Sequence, residues 1–235
     1  MATAGGIMPR MLRSCPETRP AALAAPARGV RQPKQQRSQH KQQALLAAGR
    51  TLLRTHDLPA LTVAQVAAAA GVAVGSFYTC FEDKHAWFAE LARQAALAVF
   101  DDLQRLLAAP AMQRADPAHK VALLMQWLVQ VHREHQAIFR ASVSDPARTR
   151  LYWGPLQRLN AEVVERVYGL LAPDLGAWVP EVARQRVGFA FQMVFSTLAQ
   201  AVLHDGGPLR LHDPALADEL ARSVLAAVGV TPAAG

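Results

Sequence analysis

From Gln35 almost to the end of the chain, apolar residues recur at three- and four-residue spacing, the period of amphipathic helices. The pattern predicts helices near 35–55, 63–70, 74–80, 84–108, 117–142, 146–171 with a break near Gly154-Pro155, 181–204 and 214–228. In 117–142, Val121, Leu124, Leu128, Val131 and Ile138 form one stripe. Residues 187–203 are apolar nearly all round, which suits a helix covered on two sides. In 214–228, Leu216, Leu220, Val224 and Ala227 form one stripe, and Ala217, Ala221 and Leu225 a second. Punctuation agrees: Asp116-Pro117, Asp145-Pro146 and Asp213-Pro214 each offer an N-cap aspartate followed by proline, and Pro180-Glu181 opens a further helix. Gly169, Pro173, Gly176 and Gly206-Gly207-Pro208 mark breaks. Residues 1–33, rich in Pro, Ala and Arg, show no apolar period and are expected to be disordered. No strand alternation, internal repeat or Gly-rich phosphate loop interrupts the all-α pattern.

Residues 62–84, TVAQVAAAAGVAVGSFYTCFEDK, carry the most local information. Thr62 and Gln65 fit a capping box, so a helix starts there. Val66 and Ala70 give it an apolar face, and Gly71 ends it, since a residue without Cβ takes the left-handed turn. A second short helix carries Phe77 and Phe81 inward, four apart. Ala67, small and four before the glycine, permits close approach of two steeply crossed helices. The layout is that of a helix-turn-helix. Tyr78 then faces outward, and its hydroxyl, like that of Thr62, suits a phosphate oxygen. Lys84 opens the next helix, where the helix dipole disfavours a cation, and an external anion is the expected reason for it.

Charge sharpens this picture. Residues 1–41 hold eight basic side chains against Glu17 alone, and so carry the whole net charge of +7. A basic arm on a neutral body suits polyanion contact; the alternatives are an idle tail or a start at Met8 or Met11. A secretory signal fits poorly, because AALAAPA is short and follows about twenty polar or basic residues. The most apolar segment, 187–203, is broken by Gln192, Ser196, Thr197 and Gln200, so no membrane span is expected. Two cysteines, Cys15 and Cys80, make no disulfide framework, which fits a reducing cytoplasm.

The stretch LTVAQVAAAAGVAVGSFYTCFEDKHAWF resembles the DNA-binding head of TetR-family transcriptional regulators, whose pattern runs T-V-x-x-I-A-x-x-A-G-V-S-x-G-x-x-Y-x-x-F-x-x-K. Thr62, Val63, Ala67, Ala70, Gly71, Val72, Gly75, Tyr78, Phe81 and Lys84 match, and Val66 is a close replacement. Upstream, ALLAAGRTLLRTH is similar to the family's first helix. Asp57 stands where glycine is usual, and Ala73 where serine caps the recognition helix. The resemblance implies a bacterial, cytoplasmic, homodimeric regulator, in most cases a repressor. It would be released from a near-palindromic operator by a small molecule, and the supply of Met, Trp and Phe after residue 110 makes a hydrophobic or aromatic effector the expectation.

The expected organisation is a basic arm (1–33), a three-helix DNA-binding domain (34–83) and a larger helical domain for ligand and dimerisation (84–235). DNA contacts are expected from Lys34, Arg37, Lys41, Thr62, Ala73, Val74, Ser76, Tyr78, Thr79, Cys80 and Lys84. The exposed recognition positions include no Arg, Lys, Asn or Gln, the side chains that read purines bidentately. Residues 42–90 hold Arg50, Arg54 and Lys84 against Asp57, Glu82, Asp83 and Glu90, so the arm is expected to supply much of the affinity. Met125, Leu128, His132, His135, Phe139, Tyr152, Trp153, Phe189 and Met193 are the candidate pocket, rich in adaptable apolar surface. Phe191, Phe195, Leu198, Val202, Leu216, Leu220 and Val224 are the candidate dimer face, two helices per subunit forming a four-helix bundle. His132 and His135 in HREH lack a third ligand, so no metal and no cofactor are expected. The competing class, an all-helical lyase or metal-dependent hydrolase, needs a convergent acid/base or metal cluster that the sequence does not display.

Overall fold

The computed structural model describes residues 23, 25–31, 36–144, 147–175 and 178–230. Among them the helices are α1 (Gln36–Leu52), α2 (Val63–Ala69), α3 (Val74–Cys80), α4 (Lys84–Ala108), α5 (Pro110–Arg114), α6 (Pro117–Glu134), α7 (Gln136–Val143), α8 (Thr149–Leu171), α9 (Pro180–His204) and α10 (Leu216–Val228). The fold is all-helical, and the single β-type contact among these residues is a bridge between Val30 and Phe81.

The buried side chains fall into two groups. The head's core gathers Leu45, Leu46, Leu58, Val66, Phe77 and Phe81 with Trp87, Phe88 and Leu91 of α4. The body's core gathers α4 from Ala96 onward, α6, α8, α9 and α10. The long α4 thus runs through both, and α7 is shared. Ile138 and Ala141 face the head's core, and Phe139 faces the body's.

Local chemistry explains the head. Gln65 N–H donates to Thr62 Oγ1 at 3.2 Å while Thr62 N–H donates to Gln65 Oε1 at 2.8 Å, closing the capping box. α2 ends at Gly71 (φ +66°), with Val72 N–H donating to Ala67 O and Gly71 N–H to Ala68 O, both at 3.0 Å. That is a Schellman ending, which needs a left-handed residue. The chain then turns through 100° between α2 and α3. Gly49 has a different reason. A Cβ there would lie 2.3 Å from Cζ2 of buried Trp87, whose Nε1–H donates to Leu45 O at 3.1 Å. The glycine lets α4 seat its indole against α1.

Several expected elements differ. The 117–142 helix is two helices, hinged at His135 (φ −103°, ψ 13°). The expected break at Gly154-Pro155 is absent, and α8 runs through Pro155. Asp116 Oδ1 caps α6 by accepting from His119 N–H at 2.9 Å. Asp213 instead makes a turn with Ala215 N–H, and α10 starts at Leu216. Asp145 and Pro146 lie outside the described residues. α9 is long and apolar enough to cross a membrane, yet its buried face packs against α8 and α10.

The expected disorder of 1–33 does not hold where the arm is described. Residues 25–31 form a strap over the join of head and body, and Leu23 is fully buried in the body's core. Ala27 N–H donates to Glu90 Oε2 at 3.0 Å, Glu82 N–H to Gly29 O at 2.9 Å, and Arg31 N–H to Cys80 O at 2.9 Å. Arg93 donates to Leu23 O at 2.6 Å and pairs with both oxygens of buried Glu90. Glu90 is thus a charge-balanced anchor for strap backbone. Sequence periodicity misses this, because the strap's hold is made by backbone groups and one leucine.

Candidate DNA interface and effector site

α3 presents Ala73, Val74, Tyr78 and Thr79 outward; Val74 is 44% and Tyr78 48% exposed. Phe77 beneath is fully buried and meets the Tyr78 ring edge-on, with centroids 5.5 Å apart. Thr79 Oγ1 donates to Ser76 O at 2.7 Å, so its proton is used within the helix. Lys41 Nζ donates to Ser76 Oγ at 3.4 Å, which sets exposed Arg37 and Lys41 of α1 beside α3. Thr62 is exposed, but its hydroxyl proton goes to Gln65 Oε1 at 2.8 Å. Lys34 lies outside the described residues.

Two of the expected contacts are corrected by the geometry. Cys80 is 3% exposed and packs within the head's core, so it presents no surface to a groove. Lys84 Nζ donates to Leu58 O, Pro59 O and Leu61 O at 3.0, 3.1 and 2.7 Å. Three carbonyls use all three ammonium protons. Burial also holds its pKa below the ordinary lysine value. Lys84 therefore clasps the turn between α1 and α2 to α4, and its place at a helix start needs no external anion. Asp83, whose Oδ1 accepts from Ala86 N–H at 2.7 Å, caps that helix.

The expected pocket divides. Met125, Leu128, His132 and Phe139 are buried together in the body's core, with Trp153 against them. The His132 and Phe139 rings stack at 4.6 Å with 5° between planes, and Trp153 meets Phe139 at 6.3 Å. His132 Nδ1 lies 2.8 Å from Leu128 O, a contact that a donating Nδ1–H satisfies and that leaves Nε2 as an acceptor. Burial lowers its pKa from 6.5 to about 4, keeping it neutral. Burial also lowers that of His135, which sits at the α6–α7 hinge.

Three pocket residues fall elsewhere. Tyr152 is fully buried in the head's core, edge-on to Phe88 at 4.8 Å and hydrogen-bonded to His85 Nδ1. Phe189 and Met193 are 59% and 39% exposed on α9. The helical wheel of 187–203 shows apolar residues on every side, but not which side the chain itself covers.

The dimer residues are corrected for the same reason. Phe191, Leu198, Val202, Leu216, Leu220 and Val224 are buried in this chain's own core, and only Phe195 remains half-buried at the surface. The second stripe of α10 also turns inward, since Ala221 and Leu225 are buried. What α9 leaves uncovered is Val182, Phe189, Met193 and Leu203. Beside them runs an open groove of about 420 Å³ between α8 and α9, lined by Trp153, Val164, Gly188, Phe195 and Ala199.

Two short helices crossed at a Schellman turn, with an exposed tyrosine-bearing second helix, make a helix-turn-helix DNA-binding head on a larger helical body. Residues 45–91 match the family model for bacterial regulatory proteins of the tetR family. That segment is thus a tetR-type DNA-binding domain, and the helical body behind it has the layout of TetR-family regulators. No curated protein matches it detectably. Among solved structures it is similar to a TetR-family transcriptional regulator from Mesorhizobium loti, with TM-score 0.60 and 18% identity over 83% of this chain and 96% of that one. It is also similar to the fatty acid degradation regulator FadR from Bacillus halodurans, with TM-score 0.61 and 19% identity over 83% and 97%. A third is Thermus thermophilus FadR, a TetR-family repressor in complex with lauroyl-CoA, with TM-score 0.53 and 18% identity over 83% and 99%. At these identities the likeness is one of fold. Among the described residues no three His, Cys, Asp or Glu side chains converge as a metal site.

Proposed function

We propose that this chain is a ligand-responsive repressor that binds a near-palindromic operator as a homodimer and is released by a small apolar molecule. The observation that carries the reading is α7. One face of this eight-residue helix supplies Ile138 and Ala141 to the head's core, and the other supplies Phe139 to the stack with His132. A ligand that parts Phe139, His132 and Trp153 displaces a helix on which the head rests. Differential affinity for two head positions is all that allosteric release requires. The apolar lining of Met125, Leu128 and Phe139 selects a hydrophobic effector, and the Nε2 acceptor of His132 favours one with a donor group. The lauroyl-CoA complex of the Thermus protein supports an effector with a long apolar part.

The dimer face in this reading is the uncovered side of α9 with its groove. Gly188 supports it: a glycine inside a helix costs about 1 kcal/mol, and nothing within 4 Å in the chain requires it. Close approach of a second copy supplies the reason. DNA recognition rests on Val74 and Ala73 against thymine methyls, and on Tyr78, Arg37 and Lys41 for phosphates. Selection from random duplexes tests the whole reading. It should enrich a palindrome with half-sites about one helical turn apart. Phe189→Glu with Met193→Glu should leave a folded monomer that fails to bind it. Enrichment of single half-sites, or full binding by the double variant, refutes the dimeric reading.

A further inference from the structure

Head and body enclose a second cavity, away from the His132 stack. It is a cleft of about 690 Å³ between the end of α1 with its following turn and the α6–α7 hinge. The head wall brings Arg50, Arg54 and His56; the body wall brings Arg133, His135 and Arg140. Against these four arginines stand only Asp57 and Glu134, and Glu134 already accepts from Gln130 Nε2 at 2.7 Å. The floor is apolar, with Leu53, Leu58, Ile138 and Ala141 buried along it.

The arginines differ in their restraint. Arg133 is fixed, donating through Nε to Leu211 O at 2.8 Å and through Nη2 to Asp213 O at 3.1 Å. Arg50 Nη2 reaches Gln94 Oε1 at 3.4 Å. Arg54 and Arg140, one on each wall, are exposed and make no ion pair among the described residues. Gathering like charges around a concavity is unfavourable unless an anion joins them. Duplex DNA is a poor candidate for that anion. α1 meets the recognition helix through Lys41, more than two turns before Arg50, and half the cleft belongs to α6 and α7.

We infer that this cleft is a binding site for a small phosphate-bearing anion that bridges the head and α7. Guanidinium forks match phosphate oxygens bidentately, and the volume suits a ligand of nucleotide size. Because its walls are Arg54 on the head and Arg140 on α7, occupancy ties the head to the helix that also carries Phe139. The site binds whether or not the His132 stack accepts an effector, so its test is independent of that reading.

Isothermal titration of the full chain with inorganic pyrophosphate, at constant ionic strength and without DNA, decides the matter. Saturable binding is expected, weaker by about tenfold in both Arg54→Ala and Arg140→Ala, the effect of losing one charge-assisted contact. Arg105→Ala, on an exposed part of α4, should bind as the parent does. Citrate at the same ionic strength should bind distinctly more weakly. No saturable binding, or binding unchanged in both variants, overturns the site. Sensitivity to one variant alone overturns the bridge, and equal affinity for citrate overturns the phosphate assignment.

Discussion

Gly49→Ala is expected to destabilise the head, although the same change in the interior of an ordinary helix is stabilising. Replacing a helical glycine by alanine normally gains about 1 kcal/mol from propensity. Here the new methyl would lie 2.3 Å from Trp87 Cζ2 and 3.2 Å from Leu91 Cδ2. A normal carbon contact needs at least a further ångström, and Trp87 is fully buried and tied to Leu45 O. Overpacking of this kind costs roughly 1–3 kcal/mol, and loss of the indole hydrogen bond about 1 more. After subtracting the propensity gain, the net loss is about 2 kcal/mol, or on the order of 4–8 °C in melting temperature for a chain of this size. Near-ultraviolet circular dichroism follows the tryptophan environment while differential scanning calorimetry reads the melting temperature. Gly169→Ala in α8, where nothing lies within 4 Å, is the control and should be neutral or stabilising. A Gly49→Ala protein that melts at or above the parent temperature refutes the packing argument.

Gly71→Val should cost about 1–3 kcal/mol from backbone strain alone, since φ is +66° and the space around its Cβ is open; Gly71→Asn should cost less, and chemical denaturation orders the two. His132 protonates near pH 6.5 when unfolded but only near 4 when folded, so the unfolded chain binds more protons as pH falls from 7 and stability declines. Its share of the loss between pH 7 and 5 is about 2 kcal/mol. His132→Gln should flatten the measured pH dependence by that amount, and an unchanged slope contradicts the burial assignment. Deleting residues 1–31 should lower stability by roughly 2–4 kcal/mol, through Leu23 and the backbone bonds to Cys80, Glu82 and Glu90, with calorimetry as the readout. An unaltered melting temperature would show that the strap carries no weight.

The head was readable because its constraints are local. The box of Thr62 and Gln65, the turn at Gly71 and the spacing of Phe77 and Phe81 each act within a few residues. Assignments that depend on what covers a residue were not readable in this way. Phe191 and Phe189 look alike in the sequence, yet α8 and α10 cover the first and leave the second open. Lys84 reads as a misplaced cation until the carbonyls of Leu58, Pro59 and Leu61, more than twenty residues upstream, are seen around it. Cys80 sits on the recognition helix but takes the position of its inward stripe, three after Phe77. Tyr152 belongs to the head because α8 returns to α4, a long-range fact that periodicity does not encode. The Arg54 and Arg140 cleft had no sequence signal, since its walls are about eighty residues apart.

Fluorescence anisotropy on duplex DNA spanning the region beside the protein's own gene tests the central claim most directly, with the intact chain and Val74→Glu compared at one fixed salt concentration. Val74 is exposed on α3 and is a member of neither core, so the substitution is expected to leave the fold intact while setting a carboxylate against the major groove. The account predicts saturable binding by the parent, competed poorly by unrelated duplex and lost in Val74→Glu. Equal binding by the two proteins, or no preference for that region over unrelated duplex, would contradict it.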